Sequence, residues 1–160
     1  MAHPSDQSVL ATQWLNGVTI LQRAQYRTAK LCATLHFLIG IPLVAITAAV
    51  STAVFATLKT SPDASAKLVV GLFSLAATVL AGLQTFLRLS ERGERHKQAG
   101  VRYGGLRREL ELEIVSATLA HEFLDGFRER WTALDEEAPT VPQWLYDRAS
   151  KAVLAPTRRT

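Results

Sequence analysis

The chain has 160 residues, with 18 lysines and arginines against 14 acidic residues and a single cysteine. That length suits one domain, and Cys32 alone excludes an internal disulfide or a cysteine-rich zinc site; beside an apolar run it reads as a small buried hydrophobe. A pI of 9.6 can signal nucleic-acid binding, but here the cations cluster beside apolar blocks, where membrane topology and anionic headgroups account for them, so no nucleic-acid partner is expected.

In chain order, residues 5–30 read as an amphipathic helix with Val9, Leu10, Trp14, Val18 and Leu21 near one stripe. Thirty polar-to-amphipathic residues precede the first apolar run, which argues against a cleaved leader. No charge occurs between Lys30 and Lys59, so residues 31–58 give 28 uncharged positions. About 20 apolar residues cross a hydrocarbon core of roughly 30 Å. This first span is therefore longer than needed and should tilt or kink, with Pro42 the expected kink because it lacks a backbone donor. Residues 59–67, KTSPDASAK, form a linker able to join only antiparallel neighbours, with Ser61, Pro62 and Asp63 as a helix-start signal. Residues 68–87 form a second span of 20 uncharged positions. Soluble helices rarely avoid charge on every face for such lengths.

Arg23, Arg27 and Lys30 precede the first span, and Arg88, Arg92, Arg95, Lys97 and Arg102 follow the second, whereas the linker carries only Lys59 and Lys67. The positive-inside rule places both termini in the cytoplasm. Residues 88–137 read as a long stalk helix continuous with the second span. Its seam is Leu106, Leu110, Ala117, Leu124, Phe127, Trp131 and Leu134, interrupted by Glu113, and Gly100, Gly104 and Gly105 form a potential hinge. A last helix, 140–154, follows Pro139, with Thr140 and Gln143 spaced as a capping box, and residues 155–160 read as a frayed tail. The fold class that results is an all-α membrane protein: a two-helix transmembrane hairpin with an N-terminal amphipathic helix and long cytoplasmic C-terminal helices.

Chemistry-bearing motifs are missing. His3, His36, His96 and His121 do not pair at metal-ligand spacing, and no phosphate loop, nucleophile elbow or dinucleotide fingerprint occurs. No catalytic residue, cofactor or metal is expected, and the chain does not read as an enzyme. Within the spans, Thr47 and Ser51 lie one turn apart, and Ser74, Thr78 and Thr85 recur at helical spacing. Such hydroxyls, with the small residues around them, either pack helices together or line a narrow pore in an oligomer. His36, about six residues into the first span, is an ionisable group and a gating candidate with Pro42.

The stretch LQTFLRLSERGERHKQAGVRYGGLRRELE, from the end of the second span onward, resembles the signature of the SLATT family, the two-transmembrane effector domains associated with SMODS nucleotidyltransferases and SLOG domains. The resemblance rests on Phe86 and Leu87, then Glu91, Glu94, His96, Ala99, Tyr103, Leu106, Arg108 and Glu109, with Tyr26 upstream and Pro139 and Pro142 near the end. Gln25 stands where many members have histidine, and Gly93 where alanine is more usual. What the resemblance implies is a bacterial antiphage effector in the inner membrane. It would form a homo-oligomer and permeabilise the bilayer when a partner that makes a nucleotide signal, or a linked sensor, responds to infection. The rival expectation is a membrane anchor or assembly module that does not conduct.

Overall fold

The computed structural model describes residues 4–57, 63–116 and 120–155. The described residues form helices α1 (Pro4–Thr57), α2 (Ala64–Leu87), α3 (Leu89–Ser116), α4 (His121–Glu137) and α5 (Gln143–Leu154), with no strand among them. The chain divides into two compact units. The larger joins Met1–Lys30 to Gly93–Thr160, and the smaller is Leu31–Arg92.

Sequence periodicity separates an amphipathic helix from a first span, but the backbone joins them in one helix. α1 runs without interruption through Lys30 and through Pro42. α2 opens on Asp63, whose extended backbone (φ −60°, ψ 156°) leaves its carbonyl free to accept from the Lys67 amide at 3.2 Å. The helix therefore starts four residues ahead of Leu68, as expected, while Ser61 and Pro62 of the expected start signal lie outside the described residues.

The expected unbroken helix over 88–137 is corrected at two points. Arg88 adopts the left-handed conformation (φ 45°, ψ 42°), ending α2, and α3 begins at the next residue with the Arg92 amide donating to the Arg88 carbonyl at 3.0 Å. A non-glycine residue in this region carries a steric cost of roughly 1–2 kcal/mol. The second interruption is at Ala120, whose backbone is extended ahead of α4; residues 117–119, with Ala117 of the expected seam, lie outside the described residues. The break has a packing reason. In one straight helix Leu110 and Phe127 would stand roughly 25 Å apart at 1.5 Å per residue, whereas here they share one core.

In the larger unit that core takes Ala11 and Val18 from α1, Ala99, Tyr103, Leu106 and Leu110 from α3, and Phe127 and Leu134 from α4. Trp14 stacks on Phe127 at 5.8 Å between ring centroids, and Trp131 meets both rings edge-on at 6.2 and 6.1 Å. Of the stripe expected for residues 5–30, Trp14, Val18 and Leu21 pack in this core, while Val9 and Leu10 are exposed and Ala11, Ala24, Gln25 and Thr28 are buried in addition. α5 closes a second cluster, with Ala149 and Val153 against Ile20 and Ala24. Its start is also corrected. Pro142 (φ −57°, ψ 133°) is the N-cap, and Gln143 Nε2 donates to Asp147 at 2.9 Å instead of completing a box with Thr140. A residue preceding proline is held out of helical backbone, so Val141 cannot extend the helix toward Thr140.

The three glycines expected to form a hinge are all helical. A Cβ on Gly100 would stand 3.3 Å from the Tyr26 ring, and one on Gly104 would stand 2.7 Å from Gln22 Nε2. Two of them therefore admit α1 to close contact, which is a packing role and not a hinge.

The smaller unit is built the other way round. α2 has no buried residue. On α1, Phe37, Leu38, Ile41 and Val44 are 63, 66, 67 and 70% exposed. Two helices are long and apolar enough to cross a membrane, and none of the most apolar 18-residue window in either is buried. Contacts run in opposite order along them: Gln84 lies 3.4 Å from the Cβ position of Gly40, while Val69, Val70 and Phe73 share a groove with Ala49, Val50 and Ala53.

Candidate functional site

Two places gather the residues that the sequence marks, one in each unit. In the larger unit a buried polar chain crosses three segments. Gln25, fully covered on α1, donates from Nε2 to the Pro139 carbonyl at 3.0 Å. Its Oε1 is then the acceptor, and His96 Nδ1 on α3 donates to it at 2.6 Å. The network thus selects the Nδ1–H tautomer of neutral His96. Burial lowers the His96 pKa below its ordinary 6.5, because a charged imidazole loses hydration there. Two turns on, buried Tyr103 donates from its hydroxyl to Asp135 Oδ1 on α4 at 2.5 Å. Desolvation, followed by the Asp135 bond and charge, raises the Tyr103 pKa, so the phenol stays protonated. An open pocket of about 290 Å³ lies beside these groups, lined by Leu21, Gln25, Tyr103, Asp135, Val141 and Tyr146 among others.

The remaining signature residues sit in ordinary structural roles. Glu91 pairs with Arg88 at 2.9 Å and Glu94 with Lys97 at 3.4 Å, both on exposed helix surface. Glu109 pairs with Arg130 at 3.1 Å, tying α3 to α4. Arg102 does the same through Glu137. Exposed pairs of this kind contribute only roughly 0–1 kcal/mol. Tyr26 covers Gly100. Arg108 is exposed, with its guanidinium 3.9 Å from the Cβ position of Gly104.

In the smaller unit, His36, Phe37, Gly40, Ile41, Val44, Ala45 and Gln84 line an open groove of about 530 Å³. His36 contacts the Phe37 ring edge-on at 5.8 Å. A second, more apolar groove of about 360 Å³ lies between Ala45 to Ala53 and Val69 to Phe73. The hydroxyls expected to pack helices or face a pore all turn back on their own helix. Thr47 donates to Leu43, Ser51 to Thr47, Ser74 to Val70, Thr78 to Ser74 and Thr85 to Ala81, at 2.7–3.0 Å. Each donor is thereby satisfied without water or a neighbouring helix, and only the oxygen lone pair remains to interact outward.

Chemically, then, the chain offers hydrogen-bonded structure and apolar surface. Among the described residues no three His, Cys, Asp or Glu side chains come together as a metal site. The bridging role of Gln25, the pairing of Asp135 with Tyr103 and the left-handed backbone of Arg88 emerge only in the fold. Only Gln25 carried a signal, since a glutamine on the core side of an amphipathic helix must find partners. Comparison with protein-family models, with curated proteins and with solved structures returns no match to this chain.

Proposed function

We propose that the chain is a membrane effector of a bacterial antiphage system. In this reading α2 and the apolar part of α1 cross the inner membrane as a hairpin, and the larger unit lies in the cytoplasm with both termini. Activated copies assemble and permeabilise the bilayer. One observation carries the membrane part: residues that a soluble fold would bury, such as Phe37, Leu38, Leu72 and Leu75, cover the outside of the smaller unit. Lipid solvates that surface, whereas water would not. The cations flanking the spans support the orientation. The resemblance to SLATT domains supports the effector role, and its residues Tyr26, His96 and Tyr103 lie in the packed larger unit.

Two helices cannot enclose water, so conduction requires several copies. The test is release of a small dye from liposomes containing the purified full chain in its assembled state. Release that grows with protein-to-lipid ratio is expected, and Ser51→Leu or Thr78→Leu should reduce it by narrowing and drying the path. Tight liposomes at every ratio, with assembly verified by cross-linking, would remove the pore. A second reading, a non-conducting anchor for a signalling partner, is favoured by the span hydroxyls, each already bonded within its own helix. An anchor should tolerate both leucine substitutions with no change in any activity of the assembled system.

A further inference from the structure

The heptad-like seam of residues 106–134 is spent inside the chain. Leu106, Leu110, Phe127 and Leu134 form the core of the larger unit. α3 carries a second repeat on its opposite side. Val101, Gly105, Arg108, Leu112 and Val115 follow one another at alternating spacings of four and three, the heptad pattern that keeps one stripe facing a neighbouring helix. Residues two apart on a helix point roughly 200° apart, so Leu112 lies away from buried Leu110. Val101, Leu112 and Val115 are 54, 72 and 84% exposed. Gly105 has nothing within 4 Å of its Cβ position.

We infer that this stripe is the surface on which a second copy of the chain docks, through an antiparallel pairing of the two α3 helices. The inference rests on the self-assembly proposed above. The stripe is complementary to itself in only one sense. In-register parallel pairing sets Arg108 on Arg108. Antiparallel pairing centred between Leu106 and Arg107 sets Val101 against Leu112 of the second copy, and Arg108 over Gly105 of the second copy, where the missing side chain leaves room for the arginine stem. Two-fold symmetry makes each contact twice. Gln98 then meets Val115 of the second copy. On the flank Arg102 and Glu109 of the second copy come beside each other while keeping their own-chain pairs with Glu137 and Arg130, so charges of opposite sign alternate across the contact.

The test uses the full chain with Cys32→Ser, in detergent and in nanodiscs. Val101→Cys combined with Leu112→Cys should give a disulfide-linked dimer under mild oxidation, and so should Gln98→Cys combined with Val115→Cys. Each of the four single variants should stay mostly unlinked, because its thiol faces a different residue in the second copy. Leu112→Glu should weaken self-association about ten-fold or more, as loss of a central apolar contact does. Single variants that link as well as the pairs, or two pairs that both stay monomeric in a folded chain, would overturn the inference. So would protection of Leu112→Cys by lipid in nanodiscs holding one copy. Dimers that link as expected in liposomes that never leak would leave this interface standing and remove the pore.

Discussion

The two units use similar residues to opposite ends. The larger places Phe127, Tyr103 and Leu110 in a core with almost no exposure, while the smaller turns Phe37, Leu72 and Phe86 outward. One unit is organised by exclusion of water from its interior; the other, in the function proposed above, takes its apolar surroundings from lipid. The contrast extends to polar groups. In the larger unit Gln25, His96, Tyr103 and Asp135 find partners on other segments. In the smaller unit each span hydroxyl named above bonds four residues back along its own helix. A soluble-type core needs long-range polar satisfaction to fix its segments, whereas a lipid-facing helix must satisfy itself.

The largest test of this contrast compares two phenylalanines. Phe127→Ala should destabilise the larger unit by about 3–5 kcal/mol, the usual cost of emptying a buried aromatic site. Phe37→Ala, on the outward surface, should change the same thermal transition by less than about 0.5 kcal/mol. The near-UV circular dichroism of the tryptophan cluster, followed with temperature in detergent, measures both.

Glycines give a smaller version. A Cβ at Gly17 would stand 2.8 Å from the Trp131 ring, a rigid neighbour, but at Gly71 and Gly82 nothing lies within 4 Å. Gly17→Ala should therefore cost about 1–3 kcal/mol through overpacking, and Gly71→Ala and Gly82→Ala should cost nothing measurable in the same melt. If the alanine at position 82 instead abolishes assembly, that face packs against another copy.

Tyr103→Phe removes the bond to Asp135 while keeping the ring in the core. Asp135 is exposed and can turn to water, so a loss of about 0.5–1.5 kcal/mol is expected. The pH dependence is subtler. The folded His96 pKa lies below 6.5, so the unfolded chain takes up its proton first as pH falls. The larger unit should be at full stability above about pH 6.5 and lose stability below it. His96→Gln should flatten that part of the profile, whereas an unchanged slope would assign it to other groups.

Much of the helical content is legible in the sequence because uncharged runs of this length have few alternatives. The ends of α4 at Glu137 and the early start of α2 also follow from local signals. What escapes is tertiary. The 106–134 pattern has the right spacing for one continuous seam, and only the extended backbone at Ala120 lets Leu110 and Phe127 meet in one core. Gly100 and Gly104 look like weak points until Tyr26 and Gln22 are placed beside them. Arg88 carries no sequence mark of left-handed backbone, since glycine or asparagine is the usual sign. Of the candidate positions, His96 and Tyr103 gain specific partners, whereas Glu91 and Glu94 remain surface ion pairs.

The most direct measurement is thiol accessibility in proteoliposomes of the full chain carrying Cys32→Ser. Single cysteines at Leu38, Ile41, Leu72 and Leu75 should resist a membrane-impermeant maleimide in vesicles and react readily once a denaturing detergent strips the lipid. A cysteine at the exposed Arg148 should label in vesicles whenever its side of the membrane is open to the reagent. Equal, rapid labelling of the four apolar positions in intact vesicles would contradict the account, because it would place water where the account requires lipid.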